Sequence, residues 1–178
     1  MSLRSIKTLS AAAIALSLVA PLPSFAAGGG GTTTTTPSCK KGKVWDKRNK
    51  KCVAAKKSSS LDNDNIYEVA RGLAYEKRYD EAKFVLLQAQ DQRDPRILNY
   101  LGFTTRKMGD IEGGLRYYQA ALKIDPNYTL VREYMGEAYL QLGRVDMARE
   151  QLAEIEKRCG TDCAEYAMLE KEIARAVN

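Results

Sequence analysis

The chain has 178 residues, with 28 lysines and arginines, 22 aspartates and glutamates, and a formal net charge of +6. It contains no histidine, which removes the commonest general base and metal ligand. No nucleophile elbow, phosphate loop or paired-carboxylate motif replaces it, so neither an enzyme nor a cofactor is expected.

Residues 1–26 read as a secretory signal peptide. Arg4 and Lys7 precede an apolar run from Leu9 to Ala20, too short to span a bilayer. Pro21 and Pro23 break that run, and Ser24-Phe25-Ala26 fits a small-x-small cleavage site. A transmembrane anchor is the alternative. The expected location is periplasmic or secreted, from a bacterium, with the signal peptide removed. Residues 27–38 include the run GGGGTTTTTP. That composition cannot bury a core, and it reads as a flexible linker or, alternatively, a glycosylated stalk.

Residues 39–53 are CKKGKVWDKRNKKCV. Val44-Trp45 and Cys52-Val53 flank a turn at Asp46-Lys47-Arg48-Asn49, which predicts a hairpin. Two short strands are marginal in water, and a Cys39–Cys52 disulfide would close a loop of about 15 residues, worth roughly 3 kcal/mol in the chain-entropy model. From Cys39 to Lys57 there are nine basic residues and one acid, Asp46. Lys43, Trp45, Lys47 and Arg48 are therefore candidates for binding an anionic envelope surface or a second partner. The plainer reading is a solubilising run. A nucleic-acid partner does not suit an exported protein. Residues 54–63 form a second linker, and Asp62 or Asp64 offers an N-cap for the first helix after it.

From Pro95 to Tyr128 the chain reads PRILNYLGFTTRKMGDIEGGLRYYQAALKIDPNY. Leu98, Leu101 and Thr105 fall on one helical face. Ile111, Leu115, Tyr118, Ala121, Leu122 and Ile124 form a second stripe. Gly109 suits the end of the first helix, Asp110 suits the cap of the second, and Pro126 stops it. Gly113-Gly114 is the weak point, because each helical glycine costs about 1 kcal/mol relative to alanine. The unit recurs. Met135-Gly136, Tyr139, Gly143, Ala148, Leu152 and Ile155 come after it in frame, and Ile66, Val69-Ala70, Leu73, Ala82, Leu86 and Ala89 precede it. From Gly102 to Gly136 is 34 positions, but from Ala70 to Gly102 is 32, which predicts a shortened exit loop in the first unit. Lys77 stands there in place of the turn glycine.

Leu98, Leu101-Gly102, Gly109, Tyr118, Ala121 and Pro126 resemble the tetratricopeptide repeat (TPR) pattern, with Thr105 and Gly114 as departures. The resemblance covers about Asn65 to Arg158. It implies an all-α solenoid of three helix-turn-helix units over residues 64–178, closed by a C-terminal capping helix. It also implies a groove, lined by the first helix of each unit, that takes a protein or peptide. Carried onto this chain, the partner-binding candidates are Tyr67, Arg71, Tyr75, Asn99, Phe103, Arg106, Lys107, Glu133 and Glu137. The groove is expected to turn acidic at the last two. Some family members clamp a peptide carboxy-terminus with lysine and asparagine, but Tyr67 and Arg71 occupy those positions here, and no clamp is assigned.

Cys159-Gly160-Thr161-Asp162-Cys163 joins the third unit to the last helix. Gly160 is expected to end one helix, and Thr161 or Asp162 to cap the next. Tyr166, Leu169, Ile173 and Val177 stripe the closing helix. A Cys159–Cys163 disulfide is the favoured pairing because short loops close at lower entropic cost. A four-cysteine zinc site is the rival, with unsuitable spacings. The sequence leaves oligomeric state open. It points to a non-catalytic interaction module of the bacterial envelope, or alternatively to a structural subunit of a larger assembly.

Overall fold

The computed structural model describes residues 35–40, 43–54 and 61–177. The expected signal peptide, most of the first linker and most of the second lie outside those residues. Among the described residues, two strands and seven helices succeed one another. Strand β1 (Lys43–Asp46) pairs antiparallel with β2 (Lys51–Ala54), with Val44 opposite Val53 and Trp45 opposite Cys52. Helices α1 (Asn63–Tyr75) and α2 (Tyr79–Leu86) form the first unit. The second is α3 (Pro95–Lys107) with α4 (Ile111–Ile124), and the third is α5 (Thr129–Gln141) with α6 (Val145–Cys159). Helix α7 (Ala164–Ala176) packs on α5 and α6.

Local chemistry sets the boundaries. The Asp62 carboxylate accepts from the Asn65 amide and caps α1, Asp94 caps α3 just before Pro95, and Asp110 accepts from the Gly113 amide at 2.7 Å to cap α4. Each cap satisfies an amide that the helix leaves without an internal partner. The turns inside the second and third units use Gly109 at φ 101° and Gly143 at φ 70°. In the first unit Lys77 adopts φ 61°, a left-handed conformation that costs a side-chain-bearing residue energy.

Gly114 has a packing reason, and Gly113 leaves room for the cap of its own helix, since a Cβ there would collide with the Asp110 carboxylate. A Cβ at Gly114 would come within 2.9 Å of the Gly102 carbonyl oxygen, and one at Gly102 would meet the Tyr118 ring at 2.5 Å. Bare backbone on both sides lets α3 and α4 touch. Burial against the neighbouring helix offsets the low helix propensity of Gly114.

Three expectations need correction. The first unit's two missing residues are not lost from its exit loop. Helix α2 has 8 residues where α4 has 14, and the chain from 87 to 94 after α2 is longer than the 125–128 link. Helix α7 is capped by neither Thr161 nor Asp162, because its N-cap position is Cys163, whose side chain makes no capping bond. Its apolar stripe also stops at Ile173, and Val177 is exposed. Gly160 does end α6, at φ 76°.

Both disulfides are formed with the pairing expected from the sequence. Cys39–Cys52 has Cα atoms 5.8 Å apart, and Cys159–Cys163 has them 5.9 Å apart. An apolar cluster runs from Val44 of the hairpin through Ile66, Leu86, Tyr100, Tyr118 and Ile155 to Leu169 of α7.

Candidate functional site

Helices α1 and α3 pack together, as do α3 and α5. The first helices of the three units therefore form one continuous layer, and aromatic rings run across it. Tyr67 of α1 meets Tyr100 edge-on at 5.5 Å between centroids. Tyr100 meets Phe103 at 6.0 Å, and Phe103 meets Tyr134 of α5 at 5.0 Å. The Tyr100 hydroxyl donates to the Tyr75 hydroxyl at 3.3 Å. Cations lie over these rings: Arg96 over Tyr67, Arg71 over Tyr75, and both Arg106 and Lys107 over Phe103, the last with Nζ 5.4 Å from the centroid. Such contacts hold a cation beside a ring without removing its charge.

Within this layer the candidates divide by exposure. Tyr67, Arg71 and Glu137 are half-buried, while Tyr75 and Lys107 are exposed. Asn99, Phe103, Arg106 and Glu133 are buried, Phe103 at 9 % exposure and Asn99 at 0 %. Phe103 packs between Tyr79, Tyr100 and Tyr134, so it joins the second unit to its two neighbours. Arg106 donates from Nη2 to Glu137 at 2.7 Å and from Nε to the Tyr118 hydroxyl at 3.3 Å. Burial opposes its charge, but Tyr118 and Glu137 outweigh that and raise its pKa.

The expected acidic end of the layer is largely neutralised. Glu137 is engaged by Arg106. Burial first, then Glu137 and Glu165, pushes the Glu133 carboxyl up to about 8. Toward the other end, Arg96 is held by Asp64 at 2.9 Å and Asp94 at 2.7 Å.

Tyr100 and Tyr134 belong to the layer although sequence reasoning did not single them out. The i, i+3 spacing of Tyr100 and Phe103 was visible, and Tyr134 sits beside the assigned Glu133. The aliphatic stripe through Leu98 and Leu101 drew attention to another face of α3, although both faces are buried.

The basic hairpin lies against the first unit. Val44 and Asp46 are buried. The Asp46 carboxylate accepts from the Asn49 amide and side chain across the turn, and the Lys47 amide donates to Asn65 at 3.1 Å. Arg48 pairs with Asp62, and Lys47 with Glu68 at 3.6 Å. Before the first strand, the Thr36 amide donates to Glu76, and its carbonyl accepts from Arg78 at 2.6 Å. Trp45 is half-buried and lines a cavity of about 480 Å³ with Val69, Leu73, Phe84 and Val85. Of the four surface-binding candidates, Lys43 is exposed, while Lys47 and Arg48 face acids of the α1 region.

Among the described residues, one group of three possible metal ligands comes together: Cys159, Cys163 and Glu165. Its two cysteines are bonded to each other.

Residues 106–173 match the family model described as tetratricopeptide repeat. The BBSome complex member bbs-4 of Caenorhabditis elegans is 29 % identical over 73 residues, which are 41 % of this chain and 16 % of that protein. Solved structures similar in fold include PcrH in complex with the chaperone-binding region of PopD, at TM-score 0.55 and 20 % identity, covering 64 % of this chain and 90 % of PcrH. The Yersinia enterocolitica type III secretion chaperone SycD, in complex with a peptide of the translocator YopD, has TM-score 0.56 and 20 % identity, covering 68 % and 92 %. The first TPR domain of human RPAP3 has TM-score 0.56 and 15 % identity, covering 63 % and 89 %. The helical hairpins of this chain have the fold of these structures, and residues 106–173, from the end of α3 into α7, also match the tetratricopeptide repeat in sequence.

Proposed function

We propose that this chain is a non-catalytic interaction module whose first-helix layer holds an extended segment of a partner protein. The observation that carries this reading is the accessible set Tyr67, Arg71, Tyr75 and Lys107, cations beside rings, seated on the buried rings of Tyr100, Phe103 and Tyr134. Aromatic and arginine side chains are the types enriched where interfaces derive most of their energy. Proteins of this fold are described in complex with peptides, which supports the same use here. In this reading the roles follow exposure. Tyr75, Arg71 and Lys107 contact the partner, while buried Phe103, Arg106 and Asn99 shape the surface from below. A double variant, Arg71→Glu with Lys107→Glu, changes exposed or half-exposed side chains and leaves the core intact. It should abolish partner retention by the full chain at an unchanged melting temperature. Undiminished retention overturns the reading.

The envelope location rests on the amino-terminal composition, and fractionation of the native host tests it. The basic hairpin has two uses within this proposal. Its docked side closes the first repeat, and Lys40, Lys43, Lys50 and Lys51 remain exposed for an anionic surface. Co-sedimentation with anionic vesicles should fall when those four lysines are changed to glutamine. Equal sedimentation would leave the hairpin only its structural role.

A further inference from the structure

The third-unit end of the layer carries a buried carboxyl with one oxygen that has no hydrogen-bond partner. Glu133 and Glu137 are four residues apart, so they share one face of α5. Glu133 is 3 % exposed, and its Oε2 has no hydrogen-bond partner. Glu137 is committed to Arg106. Arg106 Nη1 is also buried and unpartnered, so the guanidinium and the Glu133 carboxyl do not satisfy one another. The titratable and charged groups that act on Glu133 come from four helices: Arg106 on α3, Tyr118 on α4, Tyr134 and Glu137 on α5, and Glu165 on α7. Two further carboxyls, Glu137 and Glu165, thus act on Glu133, and Arg106 is the one cation among these groups. Among the described residues these carboxyls do not converge as a metal-ligand set would.

A buried polar atom without a partner is costly, and more so near like charge. What the cluster lacks is a second positive charge that carries several N–H donors. We infer that the Glu133 end of the layer is a subsite for a basic side chain, lysine or arginine, projecting from the bound partner segment. This deepens the peptide-holding reading above and rests on it. An ammonium or guanidinium supplies donors for Oε2 and balances the excess of carboxyls.

The subsite has a pH signature. In the free chain the Glu133 carboxyl keeps its proton to about pH 8, and only the ionised form attracts a cation. Docking of the basic side chain therefore sends that proton to solvent. About one carboxyl in a hundred is ionised two units below the midpoint and half at the midpoint. Affinity for a basic segment should accordingly rise by up to about fiftyfold between pH 6 and pH 8, then level off. A partner that hydrogen-bonds the neutral carboxyl would show the opposite slope.

The test uses the full chain and an array of extended 13-residue peptides with tyrosine or leucine anchors. One scanned position carries lysine, norleucine or glutamate. The expected result is at least a tenfold preference for lysine over norleucine at pH 8, shrinking at pH 6, and lost in Glu133→Gln while peptides are still retained. A lysine preference that survives Glu133→Gln, or a preference for glutamate, overturns the subsite and leaves the peptide-holding layer standing. If no peptide is retained, or retention ignores the Arg71→Glu, Lys107→Glu variant, the layer itself is not the site and the subsite falls with it. Carboxyl-carbon NMR gives a check that needs no ligand: Glu133 should titrate near pH 8, and a midpoint in the ordinary carboxylate range overturns the inference.

Discussion

At one end of the stack a two-stranded hairpin lies on α1 and α2, and at the other a single helix, α7, lies on α5 and α6. Both shelter the apolar side of a terminal repeat, which an array of this kind requires, but they do so by different means. Helix α7 offers Leu169 and Ile173, both buried, and a Cβ at Gly136 would come within 2.5 Å of Leu169, so the two helices touch where the glycine leaves space. The hairpin strands have four residues each, and one of their apolar side chains, Val44, is fully covered. Its attachment therefore leans on the Lys47–Asn65 hydrogen bond, on Arg48 with Asp62, on the Thr36 contacts with Glu76 and Arg78, and on the Cys39–Cys52 bond. Exposed ion pairs contribute about 0–1 kcal/mol each. A cap with so little apolar area needs the covalent tie, whereas a helix with an apolar stripe holds by packing.

The sharpest way to break this comparison is at Leu169. Leu169→Ala removes a fully buried side chain and should lower stability by about 2–5 kcal/mol, read by denaturant unfolding. A loss below about 1 kcal/mol would mean that α7 is not a packing cap. Next in size is the hairpin bond. Replacing Cys39 and Cys52 by serine should cost about 3 kcal/mol. Amide exchange should accelerate in α1 and α2, with α5 to α7 unchanged; equal acceleration throughout would make the stack one cooperative unit and erase the distinction between its ends.

The two ends should also respond to pH in opposite directions. At the hairpin end three carboxylates titrate below their ordinary range. Asp62 is lowered chiefly by the Asn65 amide, and Glu81 chiefly by Arg78. Glu76 is lowered by the Thr36 amide and Arg78, against the effect of burial. Their folded values lie below the unfolded ones, so their contribution is present above the unfolded range and is lost as the pH falls through the folded one. Glu133 has the reverse sign. Its folded value of about 8 lies above the ordinary 4.5, so its contribution is complete below pH 4.5 and is lost as the pH rises through 8. Acid should loosen α1 and the hairpin first, and mild alkali the α5 region. Glu133→Gln should flatten the decline in stability between about pH 5 and pH 8, measured by thermal melting across that window. The smallest effect concerns the turns. Lys77→Gly relieves the left-handed strain that Gly109 and Gly143 avoid, and it should stabilise the first unit by about 0.5–1 kcal/mol. A loss of stability would show that the Lys77 side chain contributes more than its backbone costs.

Much of the architecture was legible in advance because its causes are local. A 34-residue spacing of glycines, an aspartate before each of several apolar stripes, and paired cysteines close in sequence need no knowledge of distant residues. The Gly102–Gly114 approach lay half-visible in the family pattern. Which side of α3 meets solvent was not legible. Phe103 stands off the Leu98 and Leu101 stripe, which allows either an open groove position or packing on a neighbouring repeat; α3 lies between two units and is buried almost all round, and Phe103 takes the second. Arg106 and Lys107 are adjacent and alike in sequence, and one is buried in an ion pair while the other is exposed.

The sequence by itself determined the repeat, most of its helices and turns and the closing helix, and it favoured the two local disulfide pairings, since each arises from chain-local periodicity, capping and loop closure. Only the tertiary structure decided that the hairpin lies on the first unit, that Phe103 is covered on both sides, and that Arg106 occupies Glu137 while Glu133 is left without a partner. Those outcomes depend on which groups from separate helices share one low-dielectric space, and a linear pattern does not carry that information.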